Sequence, residues 1–254
     1  MELNYKSLGQ GDPIIILHGL FGSLDNWQTI AKQLAEQYTV FTLDLRNHGR
    51  SPHSSEHDYS LMAEDVFEFM SNNWIYDAHV IGHSMGGKVA MRLALDYPDQ
   101  VKKLVVVDMG VKANEGSHQM IFDAMLELDL PNLKTRKVAD LQFQTRIKEY
   151  GVRQFLLKNL KREKEGYRWK MNVPVLIENY EEILAEIESD TTFDNPTLFL
   201  RGGLSDYIKK EDLSVFQTLF PDSELQTIEQ AGHWVHAEAP VEFLERVSNF
   251  LKED

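Results

Sequence analysis

Apolar side chains along the chain fall into two alternating patterns. Short dense runs such as Pro13-Ile14-Ile15-Ile16-Leu17 and Val101-Lys102-Lys103-Leu104-Val105-Val106-Val107 read as buried strands. Between them lie longer stretches with apolar residues three and four apart, the spacing of a helix with one buried face. On this pattern strands are expected at 5–7, 13–17, 38–43, 78–81, 101–107, 196–200 and 225–228. Helices are expected at 27–37, 59–73 with Ser60 as N-cap, 88–97 stopped by Pro98, 209–219 and 240–251. Strands alternating with helices predict an α/β fold with a mostly parallel central sheet and helices on both faces. The alternation breaks once. From 109 to 194 the pattern holds no convincing strand, only helical stretches at 119–128, 134–150 and 152–160. An insertion of that kind reads as a helical cap over the carboxyl ends of the strands, where open α/β sheets place their sites. The expected division is a core of residues 1–109 and 195–254 with a cap of residues 110–194.

Composition narrows the class. The chain has 254 residues, 43% of them hydrophobic, and no apolar run near the roughly 20 residues of a membrane span. Met1-Glu2-Leu3-Asn4-Tyr5-Lys6 lacks the charged-then-apolar pattern of a secretory leader. Cysteine is absent, which removes disulfides, thiolate catalysis and cysteine-ligated zinc from consideration and fits a reducing cytoplasm. A formal charge of −14 argues against nucleic acid as partner, because phosphate backbones are bound through excess Lys and Arg.

The chemistry concentrates in Gly82-His83-Ser84-Met85-Gly86. This is G-x-S-x-G between an expected strand and an expected helix, the context in which the motif forms a sharp elbow presenting a serine. A serine needs a base to take its proton. His233, in Ala231-Gly232-His233-Trp234-Val235-His236, follows the last strand and precedes the last helix, with His236 as rival. For the acid that orients the base, two aspartates follow the elbow at strand ends, Asp108 and Asp206. A later-loop acid is expected three residues after a glycine. Counting from Gly203 gives Asp206 and from Gly202 gives Ser205, so spacing leaves the acid open. An oxyanion needs two backbone N–H groups. Met85 follows the nucleophile, and Leu20, then Phe21, are the candidates in the loop His18-Gly19-Leu20-Phe21-Gly22. His18 and His83 read as packed side chains.

Three blocks, His18-Gly19-Leu20-Phe21-Gly22-Ser23, Asp44-Leu45-Arg46-Asn47-His48-Gly49-Arg50-Ser51 and Gly82-His83-Ser84-Met85-Gly86-Gly87-Lys88, resemble the YbfF-type bacterial esterases of the α/β-hydrolase superfamily. The resemblance continues through Gln154-Phe155-Leu156-Leu157-Lys158 and Asn172-Val173-Pro174-Val175-Leu176 to the block that holds His233. It implies the α/β-hydrolase fold and hydrolysis of carboxylic esters, with acyl thioesters as an extension. It also implies Asp108 as the acid and Ser205 as an aid to the histidine; Asp206 beside that serine departs from the pattern. The partner expected is a small acyl ester or thioester, and neither a metal nor a cofactor is needed.

Asp44, Arg46 and His48 lack a third ligand at metal spacing and are expected to brace loops through mutual salt bridges. His53 and His57 are expected in solvated loops. A basic cluster, Lys158, Lys161, Arg162, Lys164, Arg168 and Lys170, reads as a solvated face or as a receiver of coenzyme A phosphates. Two other functions fit the same residues: carbon–carbon bond hydrolysis or a lyase reaction on this fold, and a non-enzymatic ligand receptor that retains the triad.

Overall fold

A computed structural model describes residues 1–252. Seven strands form one sheet: β1 (Tyr5–Leu8), β2 (Pro13–Leu17), β3 (Thr39–Leu43), β4 (Ala78–His83), β5 (Val101–Val107), β8 (Thr197–Gly202) and β9 (Ser223–Ile228). Their spatial order is β1-β3-β2-β4-β5-β8-β9, with β1 antiparallel to β3 and every other pair parallel. Successive side chains of a strand point to opposite faces, and β2 shows the consequence. Ile14 and Ile16 join a core shared with α1 (Gln28–Leu34) and α11 (Pro240–Lys252). Ile15 and Leu17 join the opposite core, against α2 (Tyr59–Asn72) and α3 (Met85–Asp96). Both faces of the inner strands are buried, which is why β2 reads as an unbroken apolar run, while the edge strands β1 and β9 stay largely exposed or half-buried.

The chain between β5 and β8 forms the insertion. It contains α4 (Gln119–Leu126), α5 (Arg136–Phe143), α6 (Tyr150–Leu157), α7 (Val173–Glu178) and α8 (Tyr180–Leu184). Its interior residues, Phe122, Phe143, Leu156 and Leu176 among them, run continuously into the core on the Ile15 face. The insertion differs from the sequence pattern in two ways. It contains a hairpin of β6 (Leu160–Arg162) and β7 (Tyr167–Trp169), paired Leu160 to Trp169. Three-residue strands carry too little periodicity to register. The turn depends on Gly166 at φ 68°, where an added Cβ would lie 2.2 Å from the carbonyl oxygen of Leu130. The expected helix over 134–150 also breaks after Phe143. There the Thr145 hydroxyl donates to the Gln142 carbonyl, and the Arg153 guanidinium binds the carbonyls of Ile147 and Lys148 in the connecting loop.

Two smaller corrections concern helix ends. Asp58, not Ser60, caps α2: its carboxylate accepts the Leu61 N–H at 2.8 Å from an extended backbone. The stretch 209–219 is a 3-10 turn followed by one short helix, α9 (Leu213–Phe216), and another, α10 (Val235–Glu238), precedes α11.

Candidate active site

β4 delivers Ser84 directly into α3, and the junction holds the serine at φ 54°, ψ −122°. A non-glycine residue at positive φ is strained, and the strain is retained by packing on both sides. A Cβ at Gly82 would lie 2.1 Å from the Gly86 carbonyl oxygen, and one at Gly86 2.5 Å from that of Leu17. Both positions of the motif therefore exclude side chains.

β5 ends in Asp108, also at positive φ and fully buried. A buried carboxylate must be met by donors. Oδ1 accepts the Gly202 N–H at 2.9 Å. Oδ2 accepts both the Ser205 hydroxyl and Nδ1 of His233, the latter at 2.7 Å. A carboxylate only accepts, so Nδ1 carries the proton and Nε2 of His233 is left as the acceptor. Asp206, one residue beyond Ser205, is exposed and makes no hydrogen bond or ion pair among the described residues. Of the two aspartates that spacing left open, the sheet brings Asp108 to the histidine.

The His233 loop is braced from two sides. Nε2–H of His83 donates to the His233 carbonyl at 2.8 Å, which ties the elbow to the histidine loop. Burial, reinforced by His233, holds the pKa of His83 well below 6.5 and keeps that ring neutral. The Tyr207 ring stacks on His233 at 4.1 Å and 20°. Sequence reasoning missed Tyr207, since a tyrosine in a turn carries no signal of what it stacks on. The rival His236 is buried, stacked on Trp27 at 4.0 Å, and pushed by burial to a pKa of about 3.

The N–H groups of Leu20, Phe21 and Met85 take no part in the turn, loop and cap backbone hydrogen bonds among the described residues. Met85 opens α3, where the helix dipole adds to its donor. Phe21 sits at φ 61°, and its carbonyl is held at 2.7 Å by the side-chain amide of Asn159, a buried residue of the insertion that sequence reasoning also missed. Asn159→Ala removes that tie. We expect roughly tenfold lower kcat with KM changed less, because a loosened loop weakens oxyanion stabilisation selectively. Steady-state kinetics on a soluble ester test this, and an unchanged kcat refutes it.

A second tie runs from α3 to the insertion. Lys88 is fully buried, and its ammonium donates to the carbonyls of Lys112, at 2.9 Å, and of Ala185; burial pushes its pKa down to about 8.

Ser84, His233, Leu20 and Phe21 share one cavity of about 480 Å³, with Ile121, Val152, Phe155 and Lys158 of the insertion among its walls. Its size is that of a small-molecule site. His18, also at the wall, is neutral and structural. Its Nδ1–H meets the Gly19 carbonyl, its Nε2 accepts the Leu45 N–H, and burial lowers its pKa to about 4.

The Asp44 loop is braced, though not as its sequence suggested. Asp44 accepts the N–H groups of Leu24 and Arg50 and the Asn4 amide, while Arg46 pairs with Asp65 of α2 at 2.6 Å. Asp65 is buried, and the Arg46 guanidinium on Oδ2 and the Met1 ammonium on Oδ1, at 2.8 Å, together match its charge. His53 is exposed as expected, but His57 is buried. No group of three or more His, Cys, Asp or Glu suited to a metal occurs among the described residues.

The fold agrees with comparisons against known proteins. The sequence profile of the alpha/beta hydrolase fold family matches residues 12–240, and the chain belongs to that family. The chain is 42% identical over 255 residues to the sn-1-specific diacylglycerol lipase ABHD11 of Danio rerio, covering 96% of this chain and 80% of that protein. It is 37% identical over 242 residues to Esterase YbfF of Escherichia coli K12, covering 95% and 93%. Among solved structures, a marine microorganism esterase superposes with a TM-score of 0.96 at 41% identity, covering 98% of this chain and 99% of that one. The resemblance drawn from the motif blocks thus extends over the whole chain.

Proposed function

We propose that this serine ester hydrolase works through Ser84, His233 and Asp108 by way of an acyl-enzyme. The observation that carries the assignment is the Asp108–His233 hydrogen bond at the wall of the cavity that also holds the strained Ser84. Nε2 of His233 takes the Ser84 proton as Oγ attacks the acyl carbonyl. Asp108 holds the ring's tautomer and offsets the charge of the imidazolium. The N–H groups of Met85 and Leu20 bind the oxyanion, with Phe21 as the alternate donor. His233 returns the proton to the departing alcohol, and water repeats the sequence on the acyl-enzyme. Ser205 shares Oδ2 of Asp108 with the histidine and fixes the carboxylate's rotation. Asp206 stays outside the machinery.

The insertion, residues 110–194, serves as the cap over a core of residues 1–109 and 195–254. Its apolar cavity walls suit an acyl chain, and relatives named as diacylglycerol lipases favour a glyceride-type ester. A cytoplasmic site of action accords with the cysteine-free composition. Hydrolysis of p-nitrophenyl esters from acetate to palmitate tests the reading. Turnover with a preferred chain length supports it and sizes the cavity. Inertness toward all of them overturns it and favours carbon–carbon hydrolysis or a receptor role.

A thioester reading has one supporting observation: of the basic cluster, Lys158 lines the cavity. Arg162 is instead held by the Lys134 carbonyl and Arg168 by Glu163, which makes both poor phosphate receivers. If coenzyme A phosphates rest there, Lys158→Glu raises KM for an acyl-CoA severalfold and spares a neutral ester. Equal effects on both substrates reject the thioester reading.

A further inference from the structure

Charge is distributed unevenly along this acidic chain. Residues 134–170 carry twelve Lys or Arg against four Asp or Glu, a local charge of +8, while the rest of the chain carries −22. Lys134, Lys137, Lys161 and Lys164 are all exposed, with no ion-pair partner among the described residues. They gather in one place: the Arg136 guanidinium binds the Leu160 carbonyl and Arg162 binds that of Lys134, which fastens the hairpin to the start of α5.

The same region exposes large apolar side chains. On α5, Val138 is 39% and Leu141 57% accessible, three residues apart and hence on one stripe. Tyr150, 65% accessible, opens α6. Asp140 pins the two helices together by accepting from Arg153 and from Gln154, and the Arg153 guanidinium lies over the Tyr150 ring. Gln154 itself lines the active-site cavity, as do its neighbours Gly151, Val152 and Phe155. The outer, basic and apolar face of α5 and α6 is therefore continuous with the rim of the cavity.

We propose that this face docks the enzyme on an anionic lipid bilayer, with Val138, Leu141 and Tyr150 inserting among the headgroups and the surrounding lysines resting on lipid phosphates. An exposed apolar stripe ringed by cations is the chemistry of interfacial binding, and each cation near an anionic surface adds to the attraction. A purely apolar partner leaves the +8 unanswered, and a purely acidic partner leaves the apolar stripe in water. Docked in this way, the cavity rim meets the lipid, and a lipid ester passes from bilayer to Ser84 without crossing water. This last step rests on the ester-hydrolase reading; the docking does not.

Binding is measured with Ser84→Ala protein, which cannot consume lipid, by co-sedimentation with vesicles of pure phosphatidylcholine and of phosphatidylcholine containing phosphatidylglycerol. The expected result is binding to the anionic vesicles that weakens with added salt, and little to the neutral ones. Lys134→Glu with Lys137→Glu should lower the anionic partition about tenfold or more, and Leu141→Ser should lower it severalfold. In the Ser84 background, hydrolysis of a short soluble ester by the same surface variants should stay within about twofold of the parent, which shows that they fold. No vesicle binding, binding indifferent to lipid charge, or variants that bind like the parent overturns the proposal. A concentration-dependent dimer that Leu141→Ser dissociates overturns it as well, in favour of a second copy on this face. A protein that hydrolyses the soluble ester and ignores vesicles loses only the docking; one that binds vesicles and hydrolyses no ester loses only the reading of function.

Discussion

Ser84→Ala should lower kcat for a soluble ester by about three orders of magnitude or more, and Asp108→Asn should come close to it, while Asp206→Asn should stay within about twofold of the parent. The first loss is the nucleophile itself. The second is a matter of tautomer. With an amide at 108, the group facing Nδ1 of His233 can donate, and the imidazole is free to present its proton to Ser84 rather than a lone pair. The other donors make the case sharper: the Ser205 hydroxyl and Nδ1 of His233 converge on Oδ2 while the Gly202 N–H meets Oδ1, and only a carboxylate accepts on both oxygens. Kinetics with matched circular dichroism spectra separate lost chemistry from lost fold. If Asp206→Asn is the more damaging of the two aspartate changes, the acid has been misassigned.

Acid should unfold the protein cooperatively near pH 5. Burial depresses the pKa of His18 and His118 to about 4, and of His48, His57 and His236 to about 3, each against 6.5 for the unfolded chain. The rings, four buried and that of His118 half-buried, are held neutral, so below pH 6.5 the unfolded chain binds protons that the folded one refuses. Stability is therefore complete above about pH 6.5 and falls as the pH drops toward the folded values. At pH 5 each such histidine costs about 2 kcal/mol, from 1.36 kcal/mol per pH unit. Five together approach the roughly 5–15 kcal/mol that hold a domain folded. His18 adds to the penalty of His48 and His48 to that of His57, and the Nε2 atoms of His48 and His57 lack a hydrogen-bond partner among the described residues. Tryptophan fluorescence and circular dichroism from pH 8 to 3 follow the transition. His57→Gln, which removes one proton uptake, should move its midpoint to lower pH. A native fold persisting at pH 4 contradicts the account.

The pattern of residues alone determined the sheet and the elbow and pointed to the histidine proposed as base. The β-branched runs at 13–17 and 101–107 have no other good solution than a strand buried on both faces. Gly82 and Gly86 flank Ser84 because the turn leaves no volume for a Cβ, a constraint that is local and so appears in a five-residue motif. The aspartate proposed as acid was different. Asp108 lies 125 residues from His233 and 97 from Ser205, and no spacing rule reaches that far. It is the adjacency of β5 to β8 and of β8 to β9 in the sheet that brings the three to one point and leaves Asp206 in solvent. The same holds for Asn159 on the Phe21 carbonyl, for Tyr207 on the His233 ring and for the burial of His57, each set by packing between elements distant in sequence. Hydrophobic periodicity records which face of an element is buried. What that face is buried against is decided only when the elements pack.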